Sequence, residues 1–274
     1  MKQYFFMAGL PRSGSTLLGS LLNQHPLIHC GANSPVLEIM YYTEKYFTTS
    51  EQYLAYPKPD CAHRMVSSVI DNFYSDIDKP VVVDKSRAWP NNVNIIEKYI
   101  TSDVKIICTV RSVEDILASF IQLINRNPDE ISYIDKILIQ KNIEITDNNR
   151  CHYLMSPEGI VDQSLYAFQQ GFVKKCQDKM LIVEYEDLIS STDKTMNKIY
   201  KWLGVPEFKH DLQNIENKYR EDDRVYDLKD MHEVRATVAK TSKPADRVLS
   251  SEILNKYQGL NFWRTAPVIQ NFLL

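Results

Sequence analysis

The residues YFFMAGLPRSGST at positions 4–16 combine a short apolar run with a loop of small and polar residues. The run Tyr4 to Ala8 has the length and composition of a buried β-strand. The residues from Leu17 to Leu22 then show the apolar spacing of a helix that packs on a sheet. The stretch therefore predicts a strand, a loop and a helix in direct succession, with Gly9 and Gly14 inside the loop.

The separation of the two loop glycines is that of a phosphate-binding loop, G-x-x-x-x-G-K-[ST]. Ser15 stands where this pattern has lysine, so Arg12 is the cation expected to supply positive charge instead. Backbone N–H groups at the start of the helix, with the hydroxyls of Ser13, Ser15 and Thr16, suit a small anion. We expect residues 12–16, Gly14 included, to bind phosphate.

The rest of the chain alternates between strand-like and helix-like segments. Further buried strands are predicted at Val81 to Val83, Lys105 to Val110 and Met180 to Val183. Further helices are predicted at Asn91 to Tyr99, Val113 to Ile124, Val161 to Lys175 and Thr195 to Leu203. Alternating strands and helices indicate parallel pairing. The predicted fold class is therefore α/β, a three-layer sandwich with a central parallel sheet, like that of P-loop NTPases.

Length and composition limit the remaining possibilities. The 274 residues suit a single domain over 1–274, and residues 127–152 are expected to form a helical insertion over the pocket. With 32 basic and 35 acidic side chains, the chain has no overall basic charge that would indicate nucleic acid as a partner. The five cysteines lie at least 25 residues apart, which favours a reducing cytoplasm over a disulfide framework. The apolar run Tyr4 to Leu10 is too short for a membrane span.

Several motifs together resemble one enzyme family. The loop PRSGST, followed by a helix and by Gln24-His25-Pro26, resembles the 5′-phosphosulfate loop of sulfotransferases, which use 3′-phosphoadenosine 5′-phosphosulfate (PAPS). The form with arginine is most similar to the carbohydrate and tyrosylprotein sulfotransferases. Arg111, at the end of a predicted strand, and Ser119, eight positions later, resemble the family's 3′-phosphate site. Tyr185, in the segment VEYEDL, resembles a tyrosine that lies beside the nucleotide in the family.

The segment DKSRAWP at 84–90 follows a predicted strand and is similar to the family's catalytic edge. The resemblance implies that Lys85 contacts the sulfonate and the bridging oxygen. In cytosolic sulfotransferases a catalytic histidine lies two positions after this lysine, but here that position is Arg87, which stays protonated and cannot act as a base.

The sequence therefore leaves the identity of the catalytic base open. Tyrosylprotein sulfotransferases have a glutamate after a Cys-Gly pair, where this chain has Ala32. His232, in the segment MHEVR, is similar to a histidine of bacterial members and has a pKa suited to proton abstraction. Asp84 is the second candidate, and Glu38, His25 or substrate-assisted transfer are the others.

These features predict an enzyme that transfers a sulfonate group from PAPS to an acceptor hydroxyl by in-line attack, without a metal. The acceptor is a carbohydrate, a small molecule or a protein tyrosine, and the sequence does not choose among them. Two other functions remain open: a P-loop kinase of a small metabolite, which Ser15 disfavours, and a nucleotide-binding module without catalysis.

Overall fold

The computed structural model describes residues 2–239 and 243–265, and it centres on a sheet of five strands that all run parallel. Their order across the sheet is β2-β3-β1-β4-β5, with β1 in the middle. The middle strand leads straight into the loop that the sequence predicts to bind phosphate, so neighbouring strand ends lie on both sides of that loop. The strands are β1 Gln3–Gly9, β2 Ile28–Asn33, β3 Val81–Lys85, β4 Ile106–Val110 and β5 Met180–Glu184.

Helices cover both faces of the sheet and bury two separate apolar clusters. One face packs against α1 and α11, and the other is covered by helices that include α2, α4, α6 and α9. The three-layer sandwich with a parallel sheet is thus confirmed. The α-helices of the described residues are α1 Ser15–Gln24, α2 Val36–Thr49, α3 Glu51–Ala55, α4 Pro59–Phe73, α5 Val93–Tyr99, α6 Val113–Asn125, α7 Tyr133–Gln140, α8 Asp147–Leu154, α9 Ile160–Val173, α10 Tyr185–Ser190, α11 Thr192–Leu203 and α12 Ser251–Tyr257.

The four strands predicted from the sequence correspond to β1, β3, β4 and β5, whereas β2 was not predicted. β2 contains histidine, cysteine, glycine and asparagine, and it pairs only with β3 at the edge of the sheet. An edge strand of which only half the residues are buried lacks the continuous apolar run that identifies a fully buried strand. In the segment predicted as an insertion, the structure contains α7 and α8.

Successive side chains of β3 point to opposite faces of the sheet. Val82 and Asp84 lie on one face, and Val83 and Lys85 on the other. The two candidate catalytic residues at this strand end therefore leave the sheet in opposite directions.

Gly9 brings the end of β1 against β4. Its φ of +121° disfavours other residues, and a Cβ atom would lie 2.1 Å from the carbonyl oxygen of Thr109. The glycine is thus required for β4 to pack directly beside the start of the loop.

No helix within the described ranges, 2–239 and 243–265, is long and apolar enough to cross a bilayer.

Candidate active site

A cleft opens where the carboxyl ends of the strands meet, the place where open parallel sheets usually bind ligands. It brings together residues that are more than 200 positions apart in the sequence. The chain segments that line it are the loop before α1, the ends of β2, β3 and β4, part of α6, the start of α10, and residues from 230–239. The polar side chains that matter most are Ser15, Thr16, Lys85, Arg111, Ser119 and His232.

The loop after β1 places the start of α1 at this cleft. Gly14 has a φ of +88° and precedes the first residue of α1, so the chain turns sharply into the helix. A Cβ atom on Gly14 would lie 2.8 Å from the ring of Tyr185. The first N–H groups of a helix have no acceptor within it. Together with the hydroxyls of Ser15 and Thr16 they form a concave set of donors for an anion.

Ser13, also predicted as a ligand of the anion, points away from the cleft. Its hydroxyl is fully buried and lies 2.5 Å from the carbonyl oxygen of Leu10 and 2.7 Å from the hydroxyl of Thr109. The Ser13 side chain therefore holds the loop against β4. Only the backbone of Ser13 is left to contact a ligand.

Arg12 lies with the residues predicted for the 3′-phosphate. Its Nε donates to the Ser119 hydroxyl at 3.2 Å, and its Nη1 donates to the Met231 carbonyl. Nη1 of Arg111 lies 3.4 Å from the Arg12 carbonyl oxygen, and the Arg111 guanidinium lies 4.5 Å from the centre of the Tyr185 ring. Burial, with nearby arginines, lowers the pKa of Arg12 to about 10, so the guanidinium stays charged at neutral pH. Arg12, Arg111, Ser119 and Tyr185 thus form one cationic cluster.

Lys85 is buried at the end of β3, and its counter-ion is Glu221. The ammonium nitrogen lies 3.7 Å from Glu221 Oε1. The same carboxylate accepts hydrogen bonds from the Asn33 backbone N–H, the Asn33 side-chain amide and the Tyr226 hydroxyl. Burial lowers the pKa of Lys85, and Glu221 partly offsets this. Burial also raises the pKa of Glu221, but Lys85, His232 and Asn33 outweigh it, so its pKa is below the usual value.

His232 lies beside the same carboxylate. Its Nε2 is 3.6 Å from Glu221 Oε1, and its Nδ1 is 2.6 Å from Asp223 Oδ1. Burial lowers the pKa of His232 below 6.5, although Glu221 and Asp223 act in the opposite direction. The imidazole is therefore neutral at neutral pH, which is the state that a base requires.

Asp84 has a different environment. Its carboxylate is fully buried and accepts hydrogen bonds from Ser34, from the Tyr74 hydroxyl at 2.8 Å and from the Trp89 indole at 2.8 Å. Burial raises its pKa, and the three hydrogen bonds partly offset this. Asp84 lines neither this cleft nor the cavity beside it. Because the carboxylate already accepts three hydrogen bonds and has no face open to the cleft, Asp84 is poorly placed to act as the base. Its contacts indicate that it holds the end of β3 in position.

A second cavity adjoins the cleft, and Asn33, Lys85 and Arg87 line both. From these residues it extends toward α2 and α9, where Glu38 and Gln163 lie on its wall. Glu38 is thus near the site. His25 is buried elsewhere, where its Nδ1 accepts from the Leu27 backbone N–H at 3.1 Å and its Nε2 lies 3.1 Å from the Pro206 carbonyl oxygen.

Glu221 and Asp223 were not predicted from the sequence. The run Arg220-Glu-Asp-Asp-Arg224 has the composition of a solvated loop, and its burial depends on contacts with Asn33, Lys85 and His232. The available signal was chemical, because a charged lysine that is buried at a strand end needs an acidic partner.

Within the residues that the structure describes, no three His, Cys, Asp or Glu side chains are grouped so that they would hold a metal ion.

Solved structures of sulfotransferases have a similar fold. The fold is similar to that of a mouse sulfotransferase, SULT7A1, complexed with PAP, with 13% identity, a TM-score of 0.55, and coverage of 99% of this chain and 88% of that one. It is also similar to the sulfotransferase domain from the curacin biosynthetic pathway, with 15% identity, a TM-score of 0.50, and coverage of 95% and 92%. No curated protein matches in sequence. The model of the sulfotransferase family matches residues 5–210, more than half of the chain. The chain therefore belongs to the sulfotransferase family.

Proposed function

We propose that this protein transfers a sulfonate group from PAPS to an acceptor hydroxyl by in-line displacement. The observation that carries the proposal is that a single cleft contains both the anion-binding loop and the pair Lys85 and His232. The first set suits the phosphates of the donor, and the second suits the reacting atoms. The PAP bound to the mouse relative supports a nucleotide of this kind.

The residues present fit a nucleotide with two separate anionic groups. The first turn of α1 and the hydroxyls of Ser15 and Thr16 face the 5′ group. Arg12, Arg111 and Ser119 lie together and would hold the 3′-phosphate, to which the Arg111 guanidinium could donate a charge-assisted pair of hydrogen bonds. Arg12 was predicted for the 5′ group, and its bond to Ser119 now favours the 3′ side. Tyr185 supports the arginine from its ring face.

Lys85 and His232 have complementary roles in this proposal. Lys85 places a positive charge against the oxygen that leaves the sulfur atom, where charge develops in the transition state. His232 takes the proton of the acceptor hydroxyl. Both lie beside Oε1 of Glu221, which supports the ammonium form of Lys85.

The acceptor is expected in the second cavity, because this cavity reaches Lys85 from the direction of α2 and α9. Arg87 lines both cavities, and burial lowers its pKa without removing its charge at neutral pH. We place this guanidinium at the sulfonate, where it adds positive charge in the position of the histidine of cytosolic sulfotransferases.

The direct test is to incubate the protein with PAPS and a broad library of hydroxyl compounds, and to detect sulfated products by mass spectrometry. Carbohydrates, phenols and tyrosine peptides represent the three acceptor classes. We expect formation of adenosine 3′,5′-bisphosphate together with a product heavier by one sulfonate group. Tight PAPS binding without transfer to any compound would instead indicate a nucleotide-binding module.

We predict that Arg111→Ala weakens binding of adenosine 3′,5′-bisphosphate by about 1.5–3 kcal/mol, since a charge-assisted bidentate contact is lost. Adenosine 5′-phosphate lacks the 3′-phosphate and serves as the matched ligand, whose affinity should change much less. Titration calorimetry measures both. Equal binding of the two nucleotides by the unsubstituted protein would refute the assignment of the 3′-phosphate site.

A further inference from the structure

His232 is held by one carboxylate through two contacts. Its ring Nδ1 lies 2.6 Å from Asp223 Oδ1, and its backbone N–H donates to Asp223 Oδ2 at 3.0 Å. Both side chains are largely enclosed, with 8% and 15% of their surfaces exposed. Two contacts to one residue fix the direction of the ring as well as its position.

An ionised carboxylate only accepts hydrogen bonds, so the contact requires the proton of a neutral imidazole to be on Nδ1. The lone pair is then on Nε2. This nitrogen faces the site, because it lies 3.6 Å from the Glu221 oxygen that also neighbours Lys85. The carboxylate thus selects the tautomer that presents a basic nitrogen at the reacting centre.

Within residues 2–239 and 243–265, four charged or titratable side chains act on the ring. Lys85 from β3 acts on the ring through its charge, Glu221 and Asp223 come from the segment before the ring, and the centre of the Tyr226 ring lies 5.6 Å away, edge-on. Asp223 and Glu221 favour the protonated ring, whereas Lys85 and burial disfavour it. Two carboxylates close to the ring would stabilise the imidazolium once it has accepted a proton.

We propose that Asp223 is a positioning residue that holds His232 in the Nδ1–H tautomer and stabilises the imidazolium formed during transfer. The proposal rests on the proposed function. The acceptor oxygen forms a bond to sulfur as its proton passes to Nε2 of His232. The bond between sulfur and the bridging oxygen breaks, and its electron pair stays on the departing phosphate. Asp223 remains ionised throughout and never touches the substrate.

The tautomer can be measured without any turnover. In ¹⁵N-resolved spectra of the imidazole groups, with adenosine 3′,5′-bisphosphate bound, we expect His232 of the unsubstituted protein to show a protonated Nδ1 that exchanges slowly with water. An Nε2–H tautomer in that spectrum would overturn the proposal, whether or not any variant folds and whether or not an acceptor is found.

Asp223→Asn supplies the second measurement. The amide cannot accept both hydrogen bonds, and its charge is lost, so the Nδ1–H signal should disappear and the pKa of His232 should fall. Turnover should drop by up to the roughly 10²- to 10⁴-fold that a general base contributes, because the imidazole remains but its tautomer is no longer fixed. The acidic limb of the pH–rate profile should move to lower pH, and KM for PAPS should change little.

Asp222→Asn is the matched control. Asp222 precedes Asp223, bonds to Arg224 and makes no hydrogen bond to His232, so this variant loses the same charge from the same segment. It should retain the tautomer, the pKa of His232 and the pH–rate profile. If Asp223→Asn behaves like this control in all three, Asp223 only packs against the ring and the proposal fails.

Discussion

Replacing Lys85 with alanine is expected to lower turnover by about 10²- to 10³-fold, because its charge acts mainly on the oxygen that leaves in the transition state. The charge of Lys85 stabilises the bound nucleotide much less in the ground state than in the transition state. The Kd of adenosine 3′,5′-bisphosphate should therefore change only slightly. Single-turnover rates with PAPS and calorimetry with the bisphosphate separate the two effects.

The substitution also leaves Glu221 without its nearest cation. Lys85→Met, which keeps most of the side-chain volume, is the companion variant that tests whether packing contributes. Thermal unfolding of both variants shows whether the fold is retained. Normal turnover in a folded Lys85→Ala protein would contradict the proposed mechanism.

For His232→Ala we expect transfer to slow by about 10²- to 10⁴-fold, the usual contribution of a general base. Because burial holds the pKa of His232 below 6.5, the unsubstituted enzyme should lose activity as pH falls through that lower pKa. The variant has no imidazole to protonate, so this acidic limb should be absent. A pH series of kcat/KM measures both changes.

His232→Gln is the sharper variant, because its amide keeps polar contacts near Asp223 but cannot take a proton. It should be as slow as His232→Ala. A folded variant with near-normal turnover and an unchanged pH profile would move the base to Glu38, or to Asp84 despite its three hydrogen-bond donors.

The central part of the fold could be predicted from the sequence because its signals are local. A strand that is buried on both faces contains a run of apolar residues, and β1, β3, β4 and β5 each contain such a run, although β5 also lies at an edge of the sheet. The edge strand β2 could not be recognised in this way. Its residues Gly31, Ala32 and Asn33 are only partly buried, and Asn33 serves the site through Glu221.

The residues of the candidate site show the same difference between local signals and contacts with distant parts of the chain. The position of loop residues and of strand-end residues such as Lys85 depends on the strand that precedes them. The sequence pattern that predicts the strand therefore also predicts that these residues lie at the cleft. Arg12 and Ser13 show the limit of that reasoning, because spacing indicates a loop but not where each side chain turns. Glu221 and Asp223 gain their roles only from residues far away in the chain, which no local pattern records.

The two cavities that meet at Lys85 bear on the kinetic order of the reaction. In the proposed assignment the donor occupies the cleft and the acceptor approaches from α2 and α9, so the two need not pass through the same space and both can be present at once. A ternary complex of this kind transfers the group directly, and no side chain has to carry the sulfonate between two half-reactions. The geometry thus favours a sequential mechanism over a ping-pong mechanism.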